Sequence, residues 1–394
     1  MKLTSAKIKN FKSLGDVELS FRDLTIIVGS NSSGKSNSLE ALNLVKAVLL
    51  SESLPKPETM QRFLRSGSDN ICSTITVEDN DKQAEYTISL KLNKNNTIIA
   101  NEKLKVNETN VIEIVNGVGN VRDEDGGNNQ KYQSDPESVE GLALRAAGNF
   151  GNKPFTKKLA SYIREWKFYD IDPDIMRADD LMEIVMGLSQ SSKRTARNES
   201  IPSLDSRARK VQEILNYWAE NERDKFDKIS KELQDCLNIS LSLVGDKGQI
   251  VRVKEGDGKE LSLSSMSDGT LRLIAYFTLL YQSEIPTIIG IEEPERNLHP
   301  RILKDLASIM KRLSRKTQVV LTTHSSQLLD CFEPEEISSE ISVLLLTKQD
   351  DSGTKSFLLD QLAEKRDDLL DWMNDFGLGS AVYHSNLLQE ILGS

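Results

Sequence analysis

Cysteine and histidine are scarce in this chain of 394 residues, which contains three of each. Cys72, Cys236 and Cys331 lie far apart and form no Cys-x-x-Cys pair, so the sequence suggests neither a disulfide framework nor a zinc knuckle. No window approaches about 18 consecutive apolar residues, and the first residues enter a strand pattern without the apolar core of a signal peptide. We therefore expect a protein of the reducing cytoplasm with no membrane partner.

Positive charge is in deficit, since 50 basic residues face 60 acidic ones and give a net charge of −10. This balance argues against a surface that coats nucleic acid nonspecifically. One window is basic, with only Glu199 and Asp205 opposing six cations: Lys193, Arg194, Arg197, Arg207, Arg209 and Lys210. The window is either a solvated loop and helix start or a strip that contacts phosphates, so DNA stays open as a partner.

A glycine-containing loop links the apolar run Leu24–Val28 to an amphipathic stretch that predicts a helix from about Lys35 to Leu50. Strand, loop and helix in this order are the context of a phosphate-binding P-loop. Its backbone N–H groups are expected to face a nucleoside triphosphate, with Lys35 as the cation and Ser36 as a ligand of Mg²⁺. The residues predicted to bind the nucleotide here are Gly29, Ser30, Asn31, Ser32, Ser33, Gly34, Lys35, Ser36 and Asn37.

The rest of the chain divides into three regions by its patterning. Residues 1–135 are rich in strands and include an antiparallel hairpin over 71–92, with an exposed or disordered loop at 123–129. Helical spacing dominates residues 136–245, where 206–237 suggests a short helical arm. Residues 246–394 alternate helices and strands. The fold class is therefore α/β, a mixed sheet flanked by helices, with an antiparallel β subdomain and a mainly helical insertion.

Carboxylates follow directly after the apolar strand pattern 287–291. Ligands of open α/β folds bind at the carboxyl ends of such strands. Glu292 is expected to bind Mg²⁺ through a water, and Glu293 to polarise the water that attacks the γ-phosphate. For Glu295 the alternative reading, an acidic residue at a helix N-terminus, is favoured.

Two further elements stand where phosphate contacts are needed. His324 follows the strand pattern 318–321 and is a candidate hydrogen-bond donor to the γ-phosphate, with an ordinary loop histidine as the alternative. Ser267 opens an apolar helix, and the amides of Gly269 and Thr270 are expected to grip a phosphate, with a simple helix cap as the alternative.

The order of these motifs, together with the opening residues 8–13, resembles the RecF, SMC and OLD branch of ABC-type ATPases. Residues 372–380 resemble the ends of bacterial AAA-family ATPases with a Leu-Ser-Asp-Gly-Thr signature, in which Met266 replaces the leucine here. The resemblance implies a homodimer with ATP sandwiched between the P-loop of one copy and the signature of the other. It assigns the signature contacts to Ser267, Asp268, Gly269 and Thr270.

The same resemblance assigns individual roles. Lys35, Glu293 and His324 are implied as catalytic, Ser36 and Glu292 as metal ligands, and Lys12 as a further nucleotide contact. The loop at 297–298 is implied to couple the two sites, and Glu292 stands where aspartate is usual. Gln61 is a candidate for the glutamine loop, with an ordinary helix residue as the favoured alternative.

Two functions fit these motifs, and a third fits poorly. The first is an ATP-driven dimer switch of bacterial anti-phage defence that controls a separately encoded effector, such as a Toprim-like nuclease. It rests on the absence of a Toprim or HNH pattern in residues 355–394. The second is a DNA-repair or DNA-clamp ATPase. A transporter subunit fits poorly, because 231 positions (267 minus 36) separate Ser36 from Ser267.

Overall fold

The computed structural model describes residues 1–133, 141–177, 201–244, 250–256, 258, 260–337, 340–349 and 353–383. In chain order, the strands are β1 (Lys2–Phe11), β2 (Leu14–Ser20), β3 (Leu24–Gly29), β4 (Asn70–Asp79), β5 (Lys82–Leu92), β6 (Ile98–Val106), β7 (Thr109–Val115), β8 (Val118–Val121), β9 (Gln130–Gln133), β10 (Lys167–Tyr169), β11 (Ile239–Val244), β12 (Ile250–Glu255), β13 (Glu260–Leu261), β14 (Ile288–Glu292), β15 (Gln318–Thr322), β16 (Ile341–Gln349) and β17 (Gly353–Leu358).

The helices are α1 (Lys35–Leu50), α2 (Pro57–Phe63), α3 (Leu144–Ala147), α4 (Pro154–Arg164), α5 (Val211–Asn221), α6 (Arg223–Leu237), α7 (Asp268–Tyr281), α8 (Leu303–Ser314), α9 (Ser326–Leu329), α10 (Leu359–Ala363), α11 (Asp367–Phe376) and α12 (Leu378–Tyr383). The predicted helix over 35–50 is confirmed with both of its bounds. Within the described ranges, none of these helices has the length and hydropathy that crossing a membrane requires.

A six-stranded sheet with the order β10-β14-β15-β3-β16-β17 carries the P-loop. Its strands are parallel except β17, which runs antiparallel to β16. The apolar runs of β3 and β15 suit this position, because a parallel sheet is covered by other elements on both faces. The register pairs Glu292 with Thr322 and Thr322 with Ile27, so these strands end at one edge of the sheet.

Alternate residues of β3 enter two different cores. Leu24, Ile26 and Val28 belong to a cluster that includes residues of α5 to α8. Ile27 belongs to a second cluster, shared with α1, α4 and the antiparallel sheet. Because side chains alternate along a strand, the strand that leads into the P-loop is fixed from both faces.

The antiparallel sheet has the order β2-β1-β4-β5-β6-β7-β8-β9. The predicted hairpin is confirmed as β4 and β5, with Ile75 opposite Tyr86 and a left-handed turn residue at Asn80. Burial alternates along β4, so one face of this sheet packs on the second core. A third sheet, β11-β12-β13, is also antiparallel.

The stretch predicted as a helical insertion contributes more than helices. Strand β10 pairs in parallel with β14 and so forms part of the central sheet. The segment read as a helical arm is two helices, α5 and α6, which pack on the core through the buried residues Trp218 and Phe226. Burial of these aromatic side chains holds both helices against the body, so the arm interpretation was wrong.

The loop at 123–129 is anchored at its start, which corrects the expectation of a wholly exposed loop. The Asp123 carboxylate pairs with the buried Lys153 ammonium at 2.7 Å. Glu124 accepts a hydrogen bond from the Thr156 backbone N–H at 2.8 Å. Within this loop, residues 125–129 are exposed, whereas 123 and 124 are not.

Candidate active site

The P-loop curls because three of its residues have positive φ: Gly29 at 147°, Ser32 at 66° and Gly34 at 105°. A Cβ at Gly34 would lie 2.8 Å from the Thr354 hydroxyl and from the Leu14 side chain, so glycine is required there. Thr354 donates a hydrogen bond to the Ser33 carbonyl at 2.8 Å. The loop is therefore held by strand β17, whose role no motif in the sequence revealed.

The Lys35 side chain is buried against its own loop and has 7% of its surface exposed. Its ammonium donates to the carbonyls of Gly29 at 2.8 Å and Ser30 at 3.1 Å. Burial lowers the pKa of this ammonium, while the carboxylate of Glu293 opposes the shift. An anion that replaces the two carbonyls would stabilise the charged form.

Ser36 and Glu292 meet across the edge of the sheet, where the Ser36 hydroxyl donates to a Glu292 carboxylate oxygen. Ser36 lies in the first turn of α1, and Glu292 ends β14. Hydroxyl and carboxylate oxygens are the ligand types that Mg²⁺ takes from proteins. The extra methylene of glutamate thus does not prevent Glu292 from reaching the metal-ligand position of the P-loop.

Glu293 occupies a left-handed backbone conformation with φ of 41°. Its carboxylate receives hydrogen bonds from Arg296 and His324, both at 3.0 Å. Burial would raise the pKa of this carboxyl, but the hydrogen bonds from Arg296 and His324 outweigh it, and the pKa lies below its ordinary value. Glu293 is therefore ionised at neutral pH and able to accept a hydrogen bond from water.

His324 lies beside this carboxylate, with half of its side chain exposed. Its Nδ1 is 3.0 Å from one carboxylate oxygen of Glu293 and 3.9 Å from Glu295. The structure thus brings together Lys35, Ser36, Glu292, Glu293 and His324, five of the residues that the sequence singled out.

Glu295 is not an acidic residue at a helix N-terminus, which the sequence favoured. It is 8% exposed, and its carboxylate accepts a hydrogen bond from the Thr323 hydroxyl at 2.6 Å. Burial raises the pKa of this carboxyl, and the bond from Thr323 opposes the shift. Glu295 therefore ties the loop after β14 to the loop that carries His324, through a residue 28 positions away.

The motif Ser267–Thr270 caps helix α7. The Ser267 hydroxyl accepts from the Thr270 N–H at 3.2 Å, as the cap interpretation predicts. Asp268 accepts hydrogen bonds from Arg177 at 2.6 Å and from Asn297 at 2.9 Å. In the described part of the chain, the side-chain hydrogen bonds of this motif thus go to its own members, to Arg177 and to Asn297, while the P-loop is served by other residues.

Two candidates remain: Lys12, a predicted nucleotide contact, and Gln61, for which an ordinary helix residue was the favoured alternative. The Lys12 ammonium pairs with Glu40 and lies 5.5 Å from the centre of the Phe63 ring. Its neighbour Ser13 is the one that contacts the P-loop region, accepting a hydrogen bond from the Asn37 amide at 2.7 Å. Gln61 lies exposed on α2.

The basic window is only partly described. Lys193, Arg194 and Arg197 lie outside the described residues. Arg207, Arg209 and Lys210 are exposed at and before the start of α5, which suits either the solvated or the phosphate-contacting interpretation.

A P-loop after β3, paired carboxylates after β14 and a histidine after β15, all at one edge of a mixed sheet, define an ABC-type P-loop ATPase. Residues 24–330 match the family described as "AAA domain, putative AbiEii toxin, Type IV TA system". The chain belongs to this family. The predicted fold class, the resemblance to the RecF, SMC and OLD branch, and the ATPase activity are confirmed.

Two relatives are similar over most of the chain. The Old nuclease of Escherichia phage P2 is 23% identical over 350 residues, which are 84% of this chain and 57% of the nuclease. The chain thus spans little more than half of that relative's length. An ATP/GTP phosphatase of Helicobacter pylori is 24% identical over 370 residues, 89% of this chain and 93% of the phosphatase.

Among solved structures, an SMC head bound to the C-winged helix domain of ScpA has a TM-score of 0.51. It is 13% identical and covers 92% of this chain and all of that head. The likeness concerns the fold alone.

Proposed function

We propose that two copies of the chain dock head to tail and clasp ATP between the P-loop of one and the Ser267–Thr270 motif of the other. The observation that supports this proposal is that, within one chain, the P-loop site and the Ser267–Thr270 motif are separate. Lys35, Glu292 and Glu293 converge on the P-loop, whereas Asp268 is bonded to Arg177 and Asn297. A symmetric copy would supply the second anion-binding loop and complete two equal sites.

In the proposed reaction, a water attacks the γ-phosphorus and the bond to the β-phosphate oxygen breaks, giving ADP and phosphate. Glu293 accepts a hydrogen bond from that water and orients it. Lys35 exchanges the Gly29 and Ser30 carbonyls for phosphate oxygens, and His324 donates a hydrogen bond to the γ-phosphate. Because His324 also contacts Glu293, both groups act on the same side of the site.

Ser36 and Glu292 are the residues that would hold Mg²⁺. Their hydroxyl and carboxylate oxygens already lie in contact, which fits a metal that binds few protein groups beside phosphates. Among the described residues, no group of three or more acidic, cysteine or histidine side chains is arranged as a metal cage, in line with that habit. When bound, the ion would neutralise charge on the phosphates.

Nucleotide state would reach the rest of the molecule through the loop at 297–298. Asn297 donates to Asp268 at 2.9 Å and follows Glu293 by four positions. A shift of the signature on ATP would therefore move the loop that begins at the catalytic carboxylate. Through this contact, hydrolysis would switch the protein between the ATP-bound dimer and the monomer.

The proposed readout is a separately encoded effector in bacterial anti-phage defence, with a Toprim-like nuclease as its expected class. The likeness to a protein named Old nuclease supports the link to nuclease chemistry. Purification of the native protein from its host should bring down the effector polypeptide. Repeated recovery of the chain alone would count heavily against this part of the proposal.

The assembly is tested by light scattering with Glu293→Gln. This variant should bind ATP without turning it over, and its mass should double when Mg-ATP is added. Lys35→Ala is the matched control and should stay at the monomer mass. If E293Q binds ATP but keeps the monomer mass when Mg-ATP is added, the proposed dimer is refuted.

A second candidate, the DNA clamp, is favoured by a cluster of three lysines: Lys46, Lys167 and Lys210. They line a cavity of about 410 Å³ together with Ser203, Ser206 and one carboxylate, that of Asp205. In the described part of the chain, none of the three ammonium groups has a carboxylate within ion-pair distance. Burial lowers the pKa of Lys46 and Lys167, so a phosphate would stabilise their charged forms.

Binding of duplex DNA at several salt concentrations separates the two candidates. A clamp predicts an ATP-stimulated affinity that falls steeply with salt and is lost when Arg207, Arg209 and Lys210 become Gln. The control replaces three exposed lysines, Lys103 and Lys131 in strands of the antiparallel sheet and Lys94 in the turn between β5 and β6. If both variants lose the same amount of DNA affinity, the loss reflects only the change in net charge, and the clamp is contradicted.

A further inference from the structure

The hydroxyl of Tyr383 lies between two loops of the ATPase site. It is placed to donate a hydrogen bond to the Thr323 carbonyl at 3.1 Å and to accept one from the Gly29 N–H at 3.5 Å. Gly29 opens the P-loop, and Thr323 precedes His324. One side chain thus touches the start of the phosphate-binding loop and the residue before the phosphate-sensing histidine.

Helix α12, which ends at Tyr383, is fixed in place. The Gly379 N–H donates to the Asp330 carboxylate at 2.7 Å, and the Trp372 indole N–H donates to the Ser380 hydroxyl at 3.2 Å. Asp330 directly follows α9, the short helix that starts two residues after His324. The segment from Thr323 to Asp330 therefore both anchors the helix of Tyr383, through Asp330, and receives the hydrogen bond of its hydroxyl, at Thr323.

The contacted carbonyl belongs to the peptide that leads into His324. Since a peptide unit is planar, a hydrogen bond to the Thr323 carbonyl fixes the orientation of the His324 N–H and Cα. The other groups of Thr323 are also held, because its N–H donates to the Ile27 carbonyl at 3.0 Å and its hydroxyl donates to Glu295. Tyr383 completes the set of bonds on this residue.

The second contact acts on the P-loop in the same manner. The Gly29 N–H points to the tyrosine oxygen, and the Gly29 carbonyl accepts from the Lys35 ammonium at 2.8 Å. Burial raises the pKa of the Tyr383 phenol to about 12, so the hydroxyl keeps its proton at physiological pH. It can therefore donate and accept at once.

We propose that Tyr383 is a positioning residue of the ATPase site, whose hydroxyl holds the start of the P-loop and the His324 loop in register. The inference rests on the proposed role of His324 at the γ-phosphate. The proposal also gives a role to the segment Trp372–Ser380, whose function the motifs did not explain. The helix that ends at Tyr383 begins within this segment and is held by it.

The test is Tyr383→Phe, which removes the hydroxyl and keeps the ring. The variant loses the bond to the Thr323 carbonyl and the longer, weaker contact from the Gly29 N–H at 3.5 Å, which together should lower kcat about fivefold. KM for ATP should stay within about twofold, because Lys35 and Ser36 are untouched. Tyr217→Phe, on the remote helix α5, is the matched control and should leave both constants unchanged.

A double-mutant cycle shows whether Tyr383 acts through His324. In a His324→Ala background, Tyr383→Phe should have almost no further effect on kcat, because residues that act as a unit are not additive. Parent-like hydrolysis by Y383F, or the same fold loss with and without His324, would overturn the proposal.

Histidine ring NMR separates this proposal from the proposed function. Y383F should move the signal of His324 and leave that of His299 in place; His384 adjoins the mutation and is not used. A moved His324 signal with an unimpaired H324A enzyme would show that the histidine assignment failed while the positioning held. An unmoved His324 signal would overturn the positioning itself.

Discussion

Thr323→Val tests the buried link between the loop that carries Glu293 and the loop that carries His324. Thr323 is fully buried, and its hydroxyl donates to Glu295 at 2.6 Å. Among the residues that the structure describes, the second carboxylate oxygen of Glu295 has no hydrogen-bond partner, and the bond from Thr323 is the largest of the hydrogen bonds that compensate for burying the carboxyl. Valine keeps the shape and removes both the donor to Glu295 and the acceptor of the Ser325 N–H at 2.9 Å. We expect a loss of about 1.5–3 kcal/mol in the free energy of unfolding, the range for hydrogen bonds to charged groups.

The loss should grow with pH. The folded pKa of Glu295 is raised, so the folded chain holds its proton above the pH at which the unfolded chain releases it. Stability is therefore highest below the unfolded pKa and falls as pH rises towards the folded pKa. Removing the donor raises the folded pKa of Glu295 further, so the free energy of unfolding continues to fall over a wider pH range. The penalty of T323V should therefore be larger at neutral pH than at about pH 4, below the ordinary pKa of a glutamate carboxyl.

Urea unfolding followed by tryptophan fluorescence measures the effect. Thr278→Val is the matched control, because Thr278 is equally buried but donates to the Ile274 carbonyl of its own helix at 2.7 Å. Its penalty should be about 1 kcal/mol and independent of pH. A T323V penalty that equals the control at both pH values would refute the reasoning.

Three further predictions concern the nucleotide. Lys35→Ala should abolish the thermal stabilisation by Mg-ATP, since the buried ammonium is lost; a parent-like shift in melting temperature would contradict this. Glu293→Gln should keep that stabilisation and lose nearly all turnover, as single-turnover assays will show; hydrolysis at the parental rate would move the water-activating role elsewhere. Arg177→Ala frees Asp268 and the Met266 carbonyl, so ATPase should fall while ATP binding by the monomer persists; loss of binding would place Arg177 in the P-loop site.

The sequence predicted the parts of the site that local patterning determines. Gly34, Lys35 and Ser36 follow a strand and open a helix, and this order alone fixes their geometry. Glu292 and His324 were found because each follows an apolar strand, and parallel strands end at one edge of a sheet. The helix bounds of α1 were predictable for the same local reason.

Contacts between distant segments escaped prediction. Glu295 depends on Thr323, Asp268 on Arg177, and Ser33 on Thr354, and no local pattern announces such pairs. Strand β10 has only three residues and lies in a helical stretch, so its pattern was too short to read. The ion pair between Lys12 and Glu40 of α1 is another contact that no local pattern indicated.

Mixing two inactive variants tests the central claim most directly. Lys35→Ala disables the P-loop, and Ser267→Arg blocks the signature, so neither variant should hydrolyse ATP alone. Neither variant should dimerise with itself, whereas a mixed dimer contains one intact site of two, so an equal mixture should recover up to about half of the parental ATPase rate. A mixture as inactive as its components, although light scattering shows mixed dimers, would contradict an ATP site shared between two subunits.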